Sequence, residues 1–383
     1  MPDALLPAGL MDGLPPDAAH EAAVITGLVT DFALRGYERV KPPLLEFEDG
    51  LLKGASTSLN LQTFRLMDPV SQRMLALRPD ITGQISRIAE SRLRHRARPL
   101  RLAYAGDVLQ VRGNQIRPER QFVQAGVELI GIDNAAADIE VIALAVDALA
   151  RAGVARLSVD LSTPTVATAV LDATGLGPDA VAETRAALDH KDPAAVRAAA
   201  GPAADLLIAL LEAGGPADAA VPALGALALP PAARTDIARL AEVAAGLRAR
   251  LPDLVLTVDA VENRGFEYHC GIAFTLFAPR VRGELGRGGR YLSGQAREAA
   301  TGFSLYLDSV MRAVAPPEPA RRLWLPSGTP EADAAAWRAQ GWVTVAALAP
   351  AASPAAEAVA QHCTHILAGG AAQPVPPATD SGD

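Results

Sequence analysis

The sequence predicts an α+β fold: an antiparallel sheet flanked by helices, with a helical insertion and a small C-terminal α/β segment. Three observations carry this. Strand-like runs are separated by irregular loops rather than by regular βα alternation, which favours antiparallel pairing. Residues 163–250 are rich in alanine and leucine, punctuated by proline and glycine, and poor in β-formers, so they read as several short helices. Beyond the linker Ala315-Pro316-Pro317-Glu318-Pro319 the pattern becomes β-α-β-α-β. The expected division is therefore a core in two parts, 1–162 and 251–315, an insertion at 163–250, a small segment at 320–370 and a frayed tail at 371–383.

The elements follow in order. Pro15, Pro16 and Asp17 start a helix with Asp17 as N-cap, and Val24, Ile25, Leu28, Val29 and Phe32 form its apolar stripe up to Gly36. FRLMD, a turn at Pro69–Gln72 and MLAL make a hairpin. Arg78-Pro79-Asp80-Ile81-Thr82 leads into a helix reaching about Arg94, and Leu100–Arg112 is a strand. The loop 113–120 returns the chain to Phe122–Ile130, and Asp133 or Asn134 caps a helix carrying Ile139, Ile142, Val146 and Leu149. Strands resume at 254–260 and 266–277, Gly286–Tyr291 reads as a tight glycine-rich turn, and 301–312 as a strand entering a helix.

Composition narrows the function. At 383 residues, half of them hydrophobic, the chain can hold two or three domains and is not disordered. No apolar run reaches the roughly 20 residues that span a bilayer, and the N-terminus lacks a secretion signal. Cys270 and Cys363 show neither CxxC pairing nor metal-ligand spacing, so a reducing cytoplasm and no structural zinc are expected. The net charge of −8 argues against broad nucleic-acid binding, and the basic stretch Arg87–Arg101 reads as a solvated helix end. GxSxG, HExxH and GxGxxG are missing, and Gly286–Tyr291 is not a phosphate loop because no GK[ST] follows. No cofactor or metal is expected.

The chemistry concentrates in Phe122–Ile130, FVQAGVELI. Period two puts Val123, Ala125, Val127 and Leu129 on one face, and Gln124, Gly126 and Glu128 on the other. The polar face is either the floor of a small pocket, with Gly126 leaving room across the backbone, or the solvated side of an edge strand. Asp80 and Thr82 stand at a strand-to-helix junction, and Arg264, Tyr268 and His269 begin another strand. Carboxylates suit an ammonium and an arginine fork suits a carboxylate, so if these groups converge they read an α-amino acid.

The order and spacing of these segments resemble the histidyl-tRNA synthetase lineage of class II aminoacyl-tRNA synthetase folds. RPDIT (78–82) is similar to its RPE-x-T, RQFVQAGVE (120–128) to its second motif, and NRGFEYHCG (263–271) to its histidine-specific RGLDYYT. GGRY (288–291) with TGFSLYLD (301–308) resembles motif 3, and GYERVKPPLLEFED (36–49) the motif 1 dimerisation element. The resemblance implies that Asp80, Thr82 and Gln124 hold the amino-acid end of histidine, Glu128 faces the imidazole, and Arg264 takes the carboxylate. Tyr268 and His269 fall on the tyrosine pair, with His269 replacing the second tyrosine.

Two departures stand out. Gln110 falls where the family has its motif 2 arginine, and Ser309 where motif 3 closes with one. Without both cations, a developing phosphate charge loses most of its electrostatic stabilisation. The roughly 65 residues after the linker are also short for this family's tRNA-reading domain. This profile is similar to the regulatory-subunit family of ATP phosphoribosyltransferase, which descends from the same synthetases. That resemblance implies a non-catalytic cytoplasmic subunit in histidine biosynthesis and a short-form catalytic subunit as partner. It also implies self-association as a dimer within a hetero-octamer, histidine as effector, and no tRNA or membrane partner. The alternatives are an active, divergent histidyl-tRNA synthetase and an amino-acid sensor serving some other protein.

Overall fold

The computed structural model describes residues 6–53, 56–262 and 268–375. The chain forms two compact units, Met1–Ala315 and Pro316–Asp383.

The first unit is built on a nine-stranded sheet. Its spatial order is Glu38–Arg39, Leu100–Leu109, Gln121–Ile130, Glu298–Tyr306, Gly286–Ser293, His269–Phe277, Ser158–Ser162, Val255–Asp259 and Gly215–Pro216. The six strands from Leu100–Leu109 to Ser158–Ser162 pair antiparallel, and parallel pairs occur only near the two edges. Gln121–Ile130 is thus an interior strand rather than an edge, and from Gln124 onward it is buried on both faces. Ala125, Val127 and Leu129 join the main core with the helix Ala135–Arg151. That helix starts where Asn134 Oδ1 accepts the Ala137 amide at 2.9 Å, a side-chain cap.

The helix Asp17–Leu34 buries Val24, Leu28 and Phe32, spaced by four on one face. Asp17 is its first helical residue rather than its cap: Pro16 holds the cap position, and no side chain bonds there. The insertion forms the helices Pro164–Asp172, Pro178–Asp189, Pro193–Ala199, Ala204–Glu212, Ala217–Gly225 and Pro231–Arg250. Four of them begin on proline, whose missing N–H costs nothing in a first turn. The insertion shares its core with the sheet: Leu207, Leu240 and Leu247 belong to the cluster that contains Val159 and Phe274. A buried arginine ties the sheet to the start of the helix Ala135–Arg151. Arg290 donates to Asp138 Oδ1 at 2.7 Å and to the carbonyls of Ile132 and Asn134.

Gly286–Ser293 corrects the expected glycine-rich turn. It is a full strand between Glu298–Tyr306 and His269–Phe277. Its glycines answer to crowding from neighbouring strands, since a Cβ on Gly288 would press on the Gly302 carbonyl and lie 2.7 Å from Phe274. The hairpin is present as Arg65–Met67 and Met74–Leu77, joined by Leu45–Phe47 in a separate three-stranded sheet. The basic stretch is not simply solvated. Arg87 binds Glu46, Arg98 binds Glu298 at 2.7 Å, and Arg101 binds Glu140 at 2.8 Å.

In the second unit, Arg322–Leu325 pairs parallel with Val343–Ala346 and His365–Ala368, with the helices Glu331–Ala339 and Pro354–Ala360 between them in sequence. A further strand, Ala371–Pro374, pairs antiparallel with His365–Ala368, so the tail does not fray directly after Gly370.

Candidate functional site

Register places the site. Cross-strand partners point to the same face of a sheet. One row on the polar face reads Glu128, Gly302, Gly289, Ala273, and the row beside it Tyr104, Gly126, Ser304, Arg287. A third row ends in Ile130, Ala300, Tyr291 and His269. The polar side of Phe122–Ile130 is therefore the floor of a site spread over five interior strands.

Asp80 and Thr82 reach this floor from the start of the helix Thr82–Ser91. Gln124 Nε2 donates to Asp80 Oδ2 at 2.6 Å and to Ser304 Oγ at 2.7 Å, and its Oε1 accepts the Ile81 amide at 2.9 Å. The Gln124 amide is thereby committed as a strut under the helix start. Thr82 donates its amide to Asp80 Oδ1 at 2.8 Å. Tyr104 and Ser304 share a hydrogen bond at 2.8 Å. Tyr291 donates to Glu128 Oε2 at 2.9 Å.

Glycines shape the floor. A Cβ on Gly126 would meet the Tyr104 hydroxyl at 2.6 Å, so the room expected above Gly126 holds a tyrosine of the chain itself. A Cβ on Gly302 would run into the Glu128 carboxylate. Glu128 is 1 % exposed, and burial pushes its pKa up to about 8. Tyr291 opposes that rise by donating to the charged form, and Asp80 adds to it by like charge.

The remaining expected residues divide. His269 is buried against the floor, and the exposed Tyr268 stacks on its ring with centroids 4.0 Å apart. Arg264 lies outside the described residues. Gln110 follows the strand Leu100–Leu109, its amide 3.5 Å from the Pro79 carbonyl. Ser309 is buried in the helix Leu307–Ala313 and accepts from Arg312 at 3.0 Å. Around these two positions runs an alternating chain of charge. Arg287 pairs with Glu284 at 2.6 Å, and Arg117 with Glu284 at 3.8 Å and Asp308 at 3.1 Å. Arg312 pairs with Asp308 at 3.3 Å and Glu119 at 3.0 Å. The Arg117 guanidinium also lies 3.9 Å from the centre of the Tyr306 ring.

Tyr104, Tyr291, Ser304 and Arg287 were not read from the sequence as site residues. The usable signal was the alternation Arg287, Gly289, Tyr291 within a strand that resembled a turn. Among the described residues, no group of three or more His, Cys, Asp or Glu could hold a metal. No helix there is long and apolar enough to cross a membrane.

Comparison with known proteins adds the family. Residues 9–310 match the model of the histidyl-tRNA synthetase family. A curated relative from Paramagnetospirillum magneticum, named ATP phosphoribosyltransferase regulatory subunit, is 57 % identical over 364 residues, spanning 95 % of this chain and 96 % of that one. Its namesake from Rhodospirillum centenum is 55 % identical, spanning 97 % and 96 %. A crystal structure from Bacillus halodurans, described as an ATP phosphoribosyltransferase regulatory subunit/histidyl-tRNA synthetase, superposes with a TM-score of 0.82 at 26 % identity. It covers 95 % of this chain and 98 % of that chain.

Proposed function

We infer the function from one premise: the chain belongs to the family of ATP phosphoribosyltransferase regulatory subunits and carries a histidyl-tRNA synthetase domain over residues 9–310. It is the non-catalytic regulatory subunit of that enzyme, serving the first step of histidine biosynthesis and its feedback inhibition by histidine. The observation that carries this is 57 % identity running almost end to end in both chains.

In this reading the effector is L-histidine, bound on the polar floor of the large sheet. Asp80 and Thr82 receive the ammonium, with Gln124 holding Asp80 in place at 2.6 Å. Glu128 faces the imidazole beside Tyr268 and His269, and Arg264 takes the carboxylate. The partner is a short-form catalytic subunit, joined to a dimer of this chain within a hetero-octamer. Aminoacylation is lost. Gln110 and Ser309 replace the cations that would clamp ATP, and the arginines nearby already have carboxylate partners.

The mechanism is linkage. Histidine that binds one quaternary state more tightly shifts the catalytic subunits toward it, and their substrates shift histidine affinity in return. A typical coupling of ~1–3 kcal/mol changes affinity by about 5- to 150-fold.

The test is Glu128→Ala in the assembled complex. Histidine inhibition is expected to disappear while the subunits still co-elute; unchanged inhibition defeats the proposed site. The isolated chain is also expected to show no histidine-dependent ATP–pyrophosphate exchange. Measurable exchange would favour the divergent synthetase instead.

A further inference from the structure

Floor space on this sheet is scarce. Tyr104 covers Gly126, and the Glu128 carboxylate leans over Gly302. The next small residue in the Glu128 row is Gly289, the register partner of Gly302. Neighbouring strands lie about 4.8 Å apart, so with Gly302 covered by the carboxylate, the surface over Gly289 is the ground beside Glu128 on which a flat ligand ring could lie. Asp80 and Gln124 mark the ammonium end two rows away, and each row of two residues adds about 6.6 Å along the strand. The side chains close that distance: the Glu128 carboxyl leans close enough to Asp80 and Thr82 to feel the charge of one and the hydrogen bond of the other, so one small α-amino acid can touch both ends.

A ring of the protein already occupies part of that ground. A Cβ on Gly289 would lie 2.6 Å from Cδ2 of His269. A bulge brings this about. His269 pairs with Tyr291 and Ala273 with Gly289, so four residues on one strand advance against two on the other. The surplus residues turn the His269 ring back across Gly289, where it is 7 % exposed and stacked by Tyr268 at 4.0 Å. An imidazole thus sits one strand away from the register partner of Glu128 in a site read as binding histidine.

We propose that His269 is a tethered competitor for the side-chain end of this site, and that free histidine binds by displacing its ring from the floor over Gly289. The proposal rests on the histidine-sensor reading above and adds a specificity-determining residue to it. Its consequence is a raised threshold: the subunit answers to histidine only once the ligand outcompetes the chain's own imidazole. A site open in about one molecule in ten binds about tenfold more weakly than one always open.

The experiment is calorimetric titration of L-histidine into the assembled complex, with feedback curves in parallel. His269→Ala and His269→Asn are expected to tighten binding about tenfold and to shift inhibition to lower histidine by the same factor. Free imidazole should then compete with histidine in His269→Ala while barely affecting the wild type, a readout that a merely structural role would not move. Unchanged or weaker binding in both variants overturns the proposal. Glu128→Ala separates the two readings: if it leaves binding intact, the site itself is wrong. If it abolishes binding while His269→Ala fails to tighten it, only the competitor is wrong. Should neither variant at position 269 assemble, ring-proton resonances of the wild-type chain decide, with its six histidines labelled and the ligand unlabelled. One buried imidazole must move to a solvent-like shift on binding, and no movement overturns the proposal.

Discussion

Two stretches of the same sheet face handle their charges differently. Around Asp80, Gln124 and Glu128, the carboxylates meet neutral donors: an amide at 2.6 Å, a backbone N–H at 2.8 Å and a phenol at 2.9 Å. Around Gln110 and Ser309, Arg287, Glu284, Arg117, Asp308, Arg312 and Glu119 pair in sequence as alternating charges. Neutral donors orient a carboxylate without cancelling it, which is why Glu128 is pushed up to about 8 by burial. Near neutral pH that carboxyl holds its proton, so what the stretch offers a cationic ligand is a buried acid that ionises when a cation pairs with it. Arginines already paired to carboxylates along such a chain have little to offer a phosphate. In the function proposed above, one face keeps its amino-acid end open and settles its nucleotide end internally.

The most damaging way to break the open end is to fill its floor. Gly302→Ala would set a methyl against the Glu128 carboxylate and 2.5 Å from the Val127 carbonyl, which is backbone and cannot swing away. The expected loss of stability is about 1–3 kcal/mol, with loss of histidine inhibition in whatever complex still assembles. Denaturant midpoints and inhibition curves check both. A stable, fully inhibited Gly302→Ala would mean that the floor has more slack than its packing indicates.

The open end is sharpened by pH. The folded pKa of Glu128, about 8, lies above the ordinary glutamate value of 4.5. The folded chain therefore holds a proton that the unfolded chain has released between those values, and stability falls as pH rises through that window. Above it the folded carboxyl is ionised in a buried place and that contribution is gone. Glu128→Gln keeps the shape and stays neutral. Wild type and variant should melt alike near pH 5, with the variant pulling ahead toward pH 8 by on the order of a few kcal/mol. Parallel melting curves would show that Glu128 is not desolvated as its burial implies.

What was legible in the sequence follows the same division between local and cross-strand information. The stripe Val24, Leu28, Phe32 and the alternation in Phe122–Ile130 are local, and both elements form where expected. Asp80, Thr82, Gln124 and Glu128 could be picked out because each sits at a junction or on a strand face visible within a few residues. Tyr104, Tyr291 and Ser304 enter the site only through register, which no short window contains. Gly286–Ser293 reads as a turn for the same reason. Its glycines look like turn signals, yet the crowding that requires them comes from Gly302, Ser304 and Phe274 on the adjacent strands.

The smallest expected effect tests the closed end. Arg117 is largely buried, ion-paired to Asp308 at 3.1 Å and stacked on Tyr306 at 3.9 Å. Removing one partner of an isolated buried pair costs about 3–5 kcal/mol, because the other charge is stranded. Here Arg117→Ala strands neither carboxylate: Asp308 keeps Arg312 at 3.3 Å and Glu284 keeps Arg287 at 2.6 Å. What goes is two contacts with aromatic faces, Tyr306 at 3.9 Å and Phe122 at 5.2 Å, and two shared pairs, so the expected cost is about 1 kcal/mol. Histidine inhibition of the complex should not change, because the Gln124 and Glu128 bonds do not pass through Arg117. Urea midpoints read the first quantity and inhibition curves the second. A shifted inhibition curve would mean that the two ends are mechanically coupled, and that the loop 113–120 carries the histidine signal rather than only closing the nucleotide end.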